Sequence, residues 1–287
     1  MQAKEMILER FPSLSPKMQE AARFIVDHPN EVVTTSMRTV AERAGVQPAT
    51  FVRLAQQLGY PGWPQLKEAV VSDMGLQPER YGQRAKNLAT RGRTHQMLDE
   101  LFSTQKENLD WTASRYSETL PCAVKLIKKA KTVHVAGFRA SFPVAYSFVY
   151  AYRLFRNSVQ LIDGNHGGLE MQLRLIENKD VVIVTSFAPY SREAVLVIEA
   201  AKAAGASIIA LTDSDASPLA LEADVAILFS INSPSFFPSL TAASSITEAL
   251  LALLVVDAGE SGVQKLDDAE QQLLASGSYL ARTSKRS

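Results

Sequence analysis

The stretch TVAERAGVQPATFVRLAQQLGY, Thr39 to Tyr60, decides how the first quarter of this chain reads. It spells a short helix, a glycine turn at Gly45 and a second helix opened by Pro48. That is the layout of a helix-turn-helix, which presents its second helix to the DNA major groove. On that helix Phe51, Val52, Ala55 and Leu58 form a stripe expected to be buried. Thr50, Arg53 and Gln57 fall on another face, at helical spacing. Arg53 suits guanine O6/N7, Thr50 suits a phosphate or a thymine methyl, and Gln47 and Gln57 can read base edges. Arg38, Arg43 and Lys67 are candidates for holding phosphates, which position a protein without reading sequence. The alternative is a plain helical bundle whose exposed Arg and Gln side chains are only solvated.

Working outward, the flanks are helical too. Ser15-Pro16 is a helix start, and Met18, Ala21, Ala22, Ile25 and Val26 then recur at helical spacing until His28-Pro29-Asn30. Ser36 can cap the next helix, whose inner face is Val40, Ala41 and Ala44. Gly59 ends the DNA-facing helix, and Trp63 to Met74 suggests one more.

With 287 residues, 46% of them hydrophobic and 21% charged, the chain can hold about two domains and a sizeable core. The formal net charge of +0 excludes a nonspecific polycation, so DNA binding has to come from local geometry and local charge. One cysteine, Cys122, excludes an internal disulfide framework and a cysteine-cluster zinc site, and fits a reducing cytosol. No metal and no cofactor is expected. The beginning MQAKEMILERF shows no apolar signal-peptide core, and the longest greasy stretch, Ala249–Val256, is too short to span a bilayer. The expected location is the cytoplasm, with no membrane partner.

Gly75–Gly92 has poor apolar periodicity and holds Gly75, Pro78, Gly82 and Gly92, so it reads as a linker. Basic residues outnumber acidic ones across 81–131, and the balance reverses across 132–287. The basic connector is a solvated segment or a contact to the DNA backbone.

After Lys131 the pattern changes. Short apolar strands are expected at Thr132–Ala136, Val159–Ile162, Asp180–Thr185, Ser207–Thr212 and Asp224–Phe229. Helices are expected from Ser141, over Arg192–Ala204 and over Leu240–Val256. Apolar strands alternating with helices indicate a parallel sheet covered on both faces, with ligands at the carboxyl ends of its strands. Two strand-to-helix turns fall on that edge: Gly137-Phe138-Arg139-Ala140-Ser141, and Ser186 through Glu193. Each sets hydroxyls and backbone N–H groups at a helix N-terminus, a natural anion site. The plainer reading is that Ser141 and Ser191 only cap their helices. Thr212-Asp213 lies at the same edge, and the loop Ser230–Ser239 can contribute to a pocket rim.

These residues carry a resemblance. VAERAGVQPATFVRLAQQLGYPGWPQLK resembles the N-terminal domain of the RpiR family of bacterial transcription regulators. Ala49, Thr50, Arg53, Leu58, Gly59, Tyr60, Gly62, Trp63, Leu66 and Lys67 fall on that family's usual pattern. Residues 132–258 resemble the sugar-isomerase (SIS) domain that usually follows it. The resemblance implies an all-α helix-turn-helix domain over 1–77, a linker and connecting helix over 78–125, and an SIS domain over 126–287. The latter is an α/β domain with a five-stranded parallel, flavodoxin-like sheet that binds effector and dimerises. It further implies double-stranded DNA with a palindromic operator as partner, a sugar-phosphate-like effector, and a homodimer or tetramer. Ser141, Ser186 and Ser191 match the family's phosphate-contacting hydroxyls. Three positions depart from the pattern. Arg139 replaces the second glycine of the first loop, where it can act as an anion clamp. Ala188-Pro189 replaces the central Ser-Gly of the second loop. Gln47 stands where a serine usually caps the recognition helix.

The rival class is an enzyme, an aldose–ketose sugar-phosphate isomerase with an added helical domain. It needs a base near the reacting carbons. His134 lies inside a strand, His166 lies in the turn Gly164–Gly168, and Glu248 lies in the late helix. No clear acid–base pair emerges, and no catalytic residue is assigned.

Overall fold

The computed structural model describes residues 3–73, 81–91, 95–165 and 167–278. The N-terminal domain is all helical: α1 (Ala3–Arg10), α2 (Pro16–Asp27), α3 (Pro29–Thr34), α4 (Met37–Arg43), α5 (Pro48–Gln57) and α6 (Trp63–Asp73). The short α3 is an addition to the sequence reading, which ended a helix at His28-Pro29-Asn30 and placed nothing before Ser36. Its fixed proline φ suits a first helical turn. Ile7, Ala21, Ile25, Val40, Phe51, Leu54 and Leu66 close one hydrophobic core, with Phe51 set edge-on to Trp63 at 4.8 Å. Leu54 rather than Val52 completes the buried stripe of α5; Val52 is only half-buried.

The connector is more ordered than a linker. Its described part forms α7 (Tyr81–Arg91), followed by α8 (His95–Ala113). Gly75, Pro78 and Gly92 lie outside the described residues. Arg, Ala, Lys, Leu and Gln all favour helix, so local propensity outweighs the weak apolar pattern here. The Tyr81 ring meets Phe237 at 5.0 Å, and the Arg84 guanidinium donates to the Ser233 carbonyl at 2.6 Å.

After α9 (Thr119–Lys129) come β1 (Val133–Gly137), α10 (Phe142–Arg153), β2 (Val159–Ile162), α11 (Leu169–Leu173) and β3 (Val181–Thr185). Then follow α12 (Arg192–Ala204), β4 (Ser207–Thr212), β5 (Val225–Leu228) and α13 (Thr241–Ala275). The five strands are parallel, in the order β2-β1-β3-β4-β5. That is the flavodoxin-like order, whose switch point lies between β1 and β3.

Side chains alternate across a strand, and here both faces are apolar. Val133, Val135, Ile183 and Ile209 pack under α9, α10 and α13. Ala136, Val182, Val184 and Ile208 pack under α12. The last helix runs well past the expected Val256. It breaks at Gly259, whose φ of 58° and ψ of −147° are open to glycine, and continues through good helix formers to Ala275. By length and composition alone α13 is long and apolar enough to cross a membrane. In this fold its residues Ile246, Leu250 and Leu254 are part of the core under the sheet.

One polar cluster is buried at the entry end of the sheet. The Asp180 carboxylate accepts from the backbone N–H of Thr132 at 3.0 Å and of Glu177 at 2.9 Å, and meets His134 Nε2 at 3.1 Å. Both side chains are 2% exposed. Asp180→Ala strands these groups without a partner and should cost roughly 3 kcal/mol or more, read as a loss of unfolding free energy in urea titration.

Candidate DNA-reading face and effector site

The helix-turn-helix is built by short-range rules. The Ser36 hydroxyl accepts from the Thr39 N–H at 3.2 Å and so caps α4. Gly45, at φ 66°, makes the turn, and Gly59, at φ 93°, turns the chain away after α5. Between them α5 shows Gln47, Arg53 and Gln57 exposed and Thr50 half-buried, opposite Phe51, Leu54 and Ala55. The Gln57 carbonyl accepts from Arg10 at 3.2 Å. Arg38 is exposed on α4.

Two of the basic candidates are engaged elsewhere. The Lys67 ammonium donates to the Thr35 carbonyl at 2.8 Å, and burial lowers its pKa below the usual lysine value. Arg43 meets Glu31 Oε2 at 2.5 Å. That hydrogen bond, with the fields of Glu31, Glu199 and Glu222, raises its pKa.

The effector loops meet at the carboxyl ends of β1 and β3. Gly137 must be glycine there. A Cβ at this position would stand 2.7 Å from both the Ser141 carbonyl and the Ala145 side chain. Its absence lets β1 run directly under the start of α10. Ser141 is buried, precedes α10 and makes no side-chain cap hydrogen bond. Arg139 reaches the other way and donates to Glu193 Oε1 at 2.9 Å, joining the first loop to the first turn of α12. All four effector candidates, Arg139, Ser141, Ser186 and Ser191, therefore sit on the two turns of one sheet edge.

The second loop satisfies much of its own polarity. Ser191 Oγ accepts from the Ala194 N–H at 3.2 Å, the cap that the plainer reading expects. Ser186 is buried, and its Oγ accepts from the Ser191 N–H at 3.3 Å. Asp213, after β4, holds the loop from behind. Its carboxylate accepts from the Tyr190 hydroxyl at 2.9 Å and from the Ala188 N–H at 3.3 Å. Burial, then the Asp213 charge, pushes the Tyr190 hydroxyl well above its usual pKa, so it remains a donor. The Ala188–Pro189 peptide is cis. Both serine hydroxyls keep their own hydrogens to donate.

A cleft of about 450 Å³ lies between this loop and the N-terminal domain, lined by Tyr190, Ser191 and Arg192 on one side and Ser36, Lys67 and Val71 on the other. Sequence reasoning placed Lys67 toward DNA and missed this neighbourhood, because nothing local marks a contact across more than a hundred residues. The loop Ser230–Ser239, a candidate for the rim, is bound to α8. Ser230 Oγ donates to Asn108 Oδ1 at 2.6 Å, and Asn108 Nδ2 donates to the Asn232 carbonyl at 2.7 Å.

Of the residues considered for isomerase chemistry, two are described. His134 is buried on Asp180 at the opposite end of β1. Glu248 is exposed on α13. His166 lies outside the described residues. Among the described residues no group of three or more His, Cys, Asp or Glu is placed to hold a metal ion.

A DNA-reading helix pair joined to a sheet domain with an anion-suited switch point defines a ligand-linked transcription regulator. Residues 1–75 match the model of the rpiR-family helix-turn-helix domain, and residues 126–256 match that of the SIS domain. The chain belongs to the RpiR family of transcriptional regulators. It is 24% identical over 252 residues to an HTH-type transcriptional regulator of Caldanaerobacter subterraneus, covering 88% of this chain and 86% of that one. The sugar isomerase domain of an RpiR transcription factor from Sphaerobacter thermophilus superposes with TM-score 0.59 at 25% identity, covering 62% of this chain and 99% of that one. The Vibrio vulnificus NanR protein complexed with ManNAc-6P superposes with TM-score 0.59 at 18% identity, covering 95% and 100%.

Gln47 makes no side-chain cap on α5, although its backbone is extended at φ −77° and ψ 146°, as a cap residue's is. Gln47→Ser should therefore stabilise the N-terminal domain by roughly 0.5–1 kcal/mol, read as a rise in its thermal midpoint.

Proposed function

We propose that this regulator binds a palindromic operator as a dimer and that a sugar-derived anion at the β1/β3 edge modulates that binding. The observation that carries the reading is the cleft itself. The effector loop that bears Ser191 also faces Ser36 and Lys67 of the DNA-binding domain. A ligand that reorders Tyr190–Arg192 would act directly on the seat of that domain, with no long relay. Two-fold symmetry would then turn a small rotation of each seat into a changed spacing of the two recognition helices.

In this reading Arg53, Gln47, Gln57 and Thr50 read the operator, and Arg38 holds a phosphate. Ser141, Ser186, Ser191 and Arg139 hold the effector. Lys67 serves the seat between the domains, since its ammonium is bound to Thr35. NanR, the structural neighbour that spans both domains, is complexed with a phosphorylated amino sugar, which supports a ligand of that class. The chain acts as a regulator without catalysis in this reading, because a DNA-binding domain precedes its sheet domain as in its regulator relative. A cytoplasmic location fits a chain whose long apolar helix α13 is partly used in a domain core.

A gel shift with family-type palindromes, with and without sugar phosphates, tests the proposal. Sequence-preferring binding that changes with one of the ligands is expected; binding without sequence preference refutes it. Arg53→Ala should cost roughly 1–3 kcal/mol at the operator and relax the choice of base at one position. Arg38→Ala should weaken all sequences alike and lower the salt slope by about 1.

A further inference from the structure

The last helix carries more apolar surface than its own chain covers. An 18-residue stretch of α13 has a mean hydropathy of 1.5, and only 33% of it is buried. Ile246, Leu250 and Leu254 make up much of the buried side. Another side shows Ala252, Leu253 and Val256 to solvent, and Val256 is 78% exposed. Residues three and four apart share a helix face, so these three form one patch. Val263, just past the break at Gly259, is exposed as well. An exposed apolar patch of this kind marks a contact surface.

The charges around the patch point to what covers it. Past Gly259 the helix carries Glu260, Asp267, Asp268 and Glu270 against a single Lys265. This acidic arm lies beyond residues 126–256, the part that matches the SIS domain. At 1.5 Å per residue it extends roughly 24 Å past the break. Next to the patch, α9 shows Lys125, Lys128 and Lys129 to solvent and holds no acidic residue. Lys128 donates to Asp257 at 3.2 Å, which sets α9 along the border of the patch. Lys125, Lys129, Glu260, Asp267 and Glu270 form no ion pair among the described residues. One chain therefore carries a basic strip beside the patch and an acidic arm beyond it. A two-fold axis through the patch sets each of these against the other's counterpart, which is the self-complementarity an isologous contact needs. A lipid surface suits the patch less, because anionic headgroups repel an acidic arm.

We propose that a second copy of this chain docks on the patch. The two α13 helices cross antiparallel about an axis near Val256, and the acidic arm of each copy lies on the lysines of the other's α9. This rests on the dimer in the reading above and specifies its surface. The arm is then a clasp added to the sheet domain, and the dimer is held by apolar contact at the axis and by charge at both ends.

The test is sedimentation equilibrium of the full chain, without DNA or effector. The wild type should be a dimer at micromolar concentration. Val256→Glu changes an exposed position, so circular dichroism should show the wild-type fold. Its dimer should be weaker by roughly tenfold or more, because the contact would bury an unpaired charge. Asp267→Lys with Glu270→Lys should weaken the dimer, and Lys125→Glu with Lys129→Glu should do the same. All four changes together should restore it, which a role in folding alone would not do. A Val256→Glu dimer as tight as the wild type's overturns this surface and leaves the dimer of the proposed function standing. So do four reversals that leave the dimer as weak as two. A monomeric wild type overturns both. Flotation of the wild type with phosphatidylcholine vesicles would make the patch a lipid contact and overturn the second copy as its occupant.

Discussion

Parallel strands can be joined only by crossovers, and the first two crossovers of this sheet lead to opposite sides of β1. The first, through α10, sets β2 on one flank; the chain then passes back, and β3 takes the other. At the carboxyl end of β1 the loops therefore part, and the gap between them is the switch point. The rest of the C-terminal domain follows from keeping that gap narrow. Gly137 has no side chain because α10 starts where a Cβ would be. Asp213 reaches from the next strand to fix Tyr190 and Ala188. Arg139 and Glu193 then meet across the opening.

The same constraint brings the two domains into register. α12 begins at the switch point, so its first turn carries Ser191, Arg192 and Glu193 at the edge where a ligand would sit. Its outer side faces α3, α4 and α6 of the DNA-binding domain, with Lys67 and Ser36 lining the space between. An arrangement in which ligand loop and domain seat are one segment needs no extended pathway of coupling, only two positions of that segment.

Much of the fold was legible because it rests on short-range rules. β2, β4 and α12 lie where the alternation of apolar runs and turn residues put them. Ser36, Gly45, Pro48 and Gly59 punctuate the helix-turn-helix as their backbone preferences require. The misreadings have equally local causes. α7 lacks an apolar stripe, and its contacts are a guanidinium and a ring on the distant loop near Ser233 and Phe237. The second half of α13 follows a glycine that a sequence pattern takes as a stop. Val52 and Leu54 differ by little in periodicity, and only the packing of α5 on α2 and α4 chooses between them.

The sequence by itself determined the two domains, the helix that shows Arg53 and Gln57 to solvent, the parallel sheet, and the edge on which Arg139, Ser141, Ser186 and Ser191 fall. Each follows from periodicity, capping or turn chemistry over a few residues. Tertiary structure alone decided what those side chains face. Lys67 points at Thr35 and the cleft, and Arg139 pairs with a glutamate 54 positions away. Partners so far apart in the chain are chosen by the crossing of strands and the docking of helices, and nothing within a few residues of either partner encodes the distance between them.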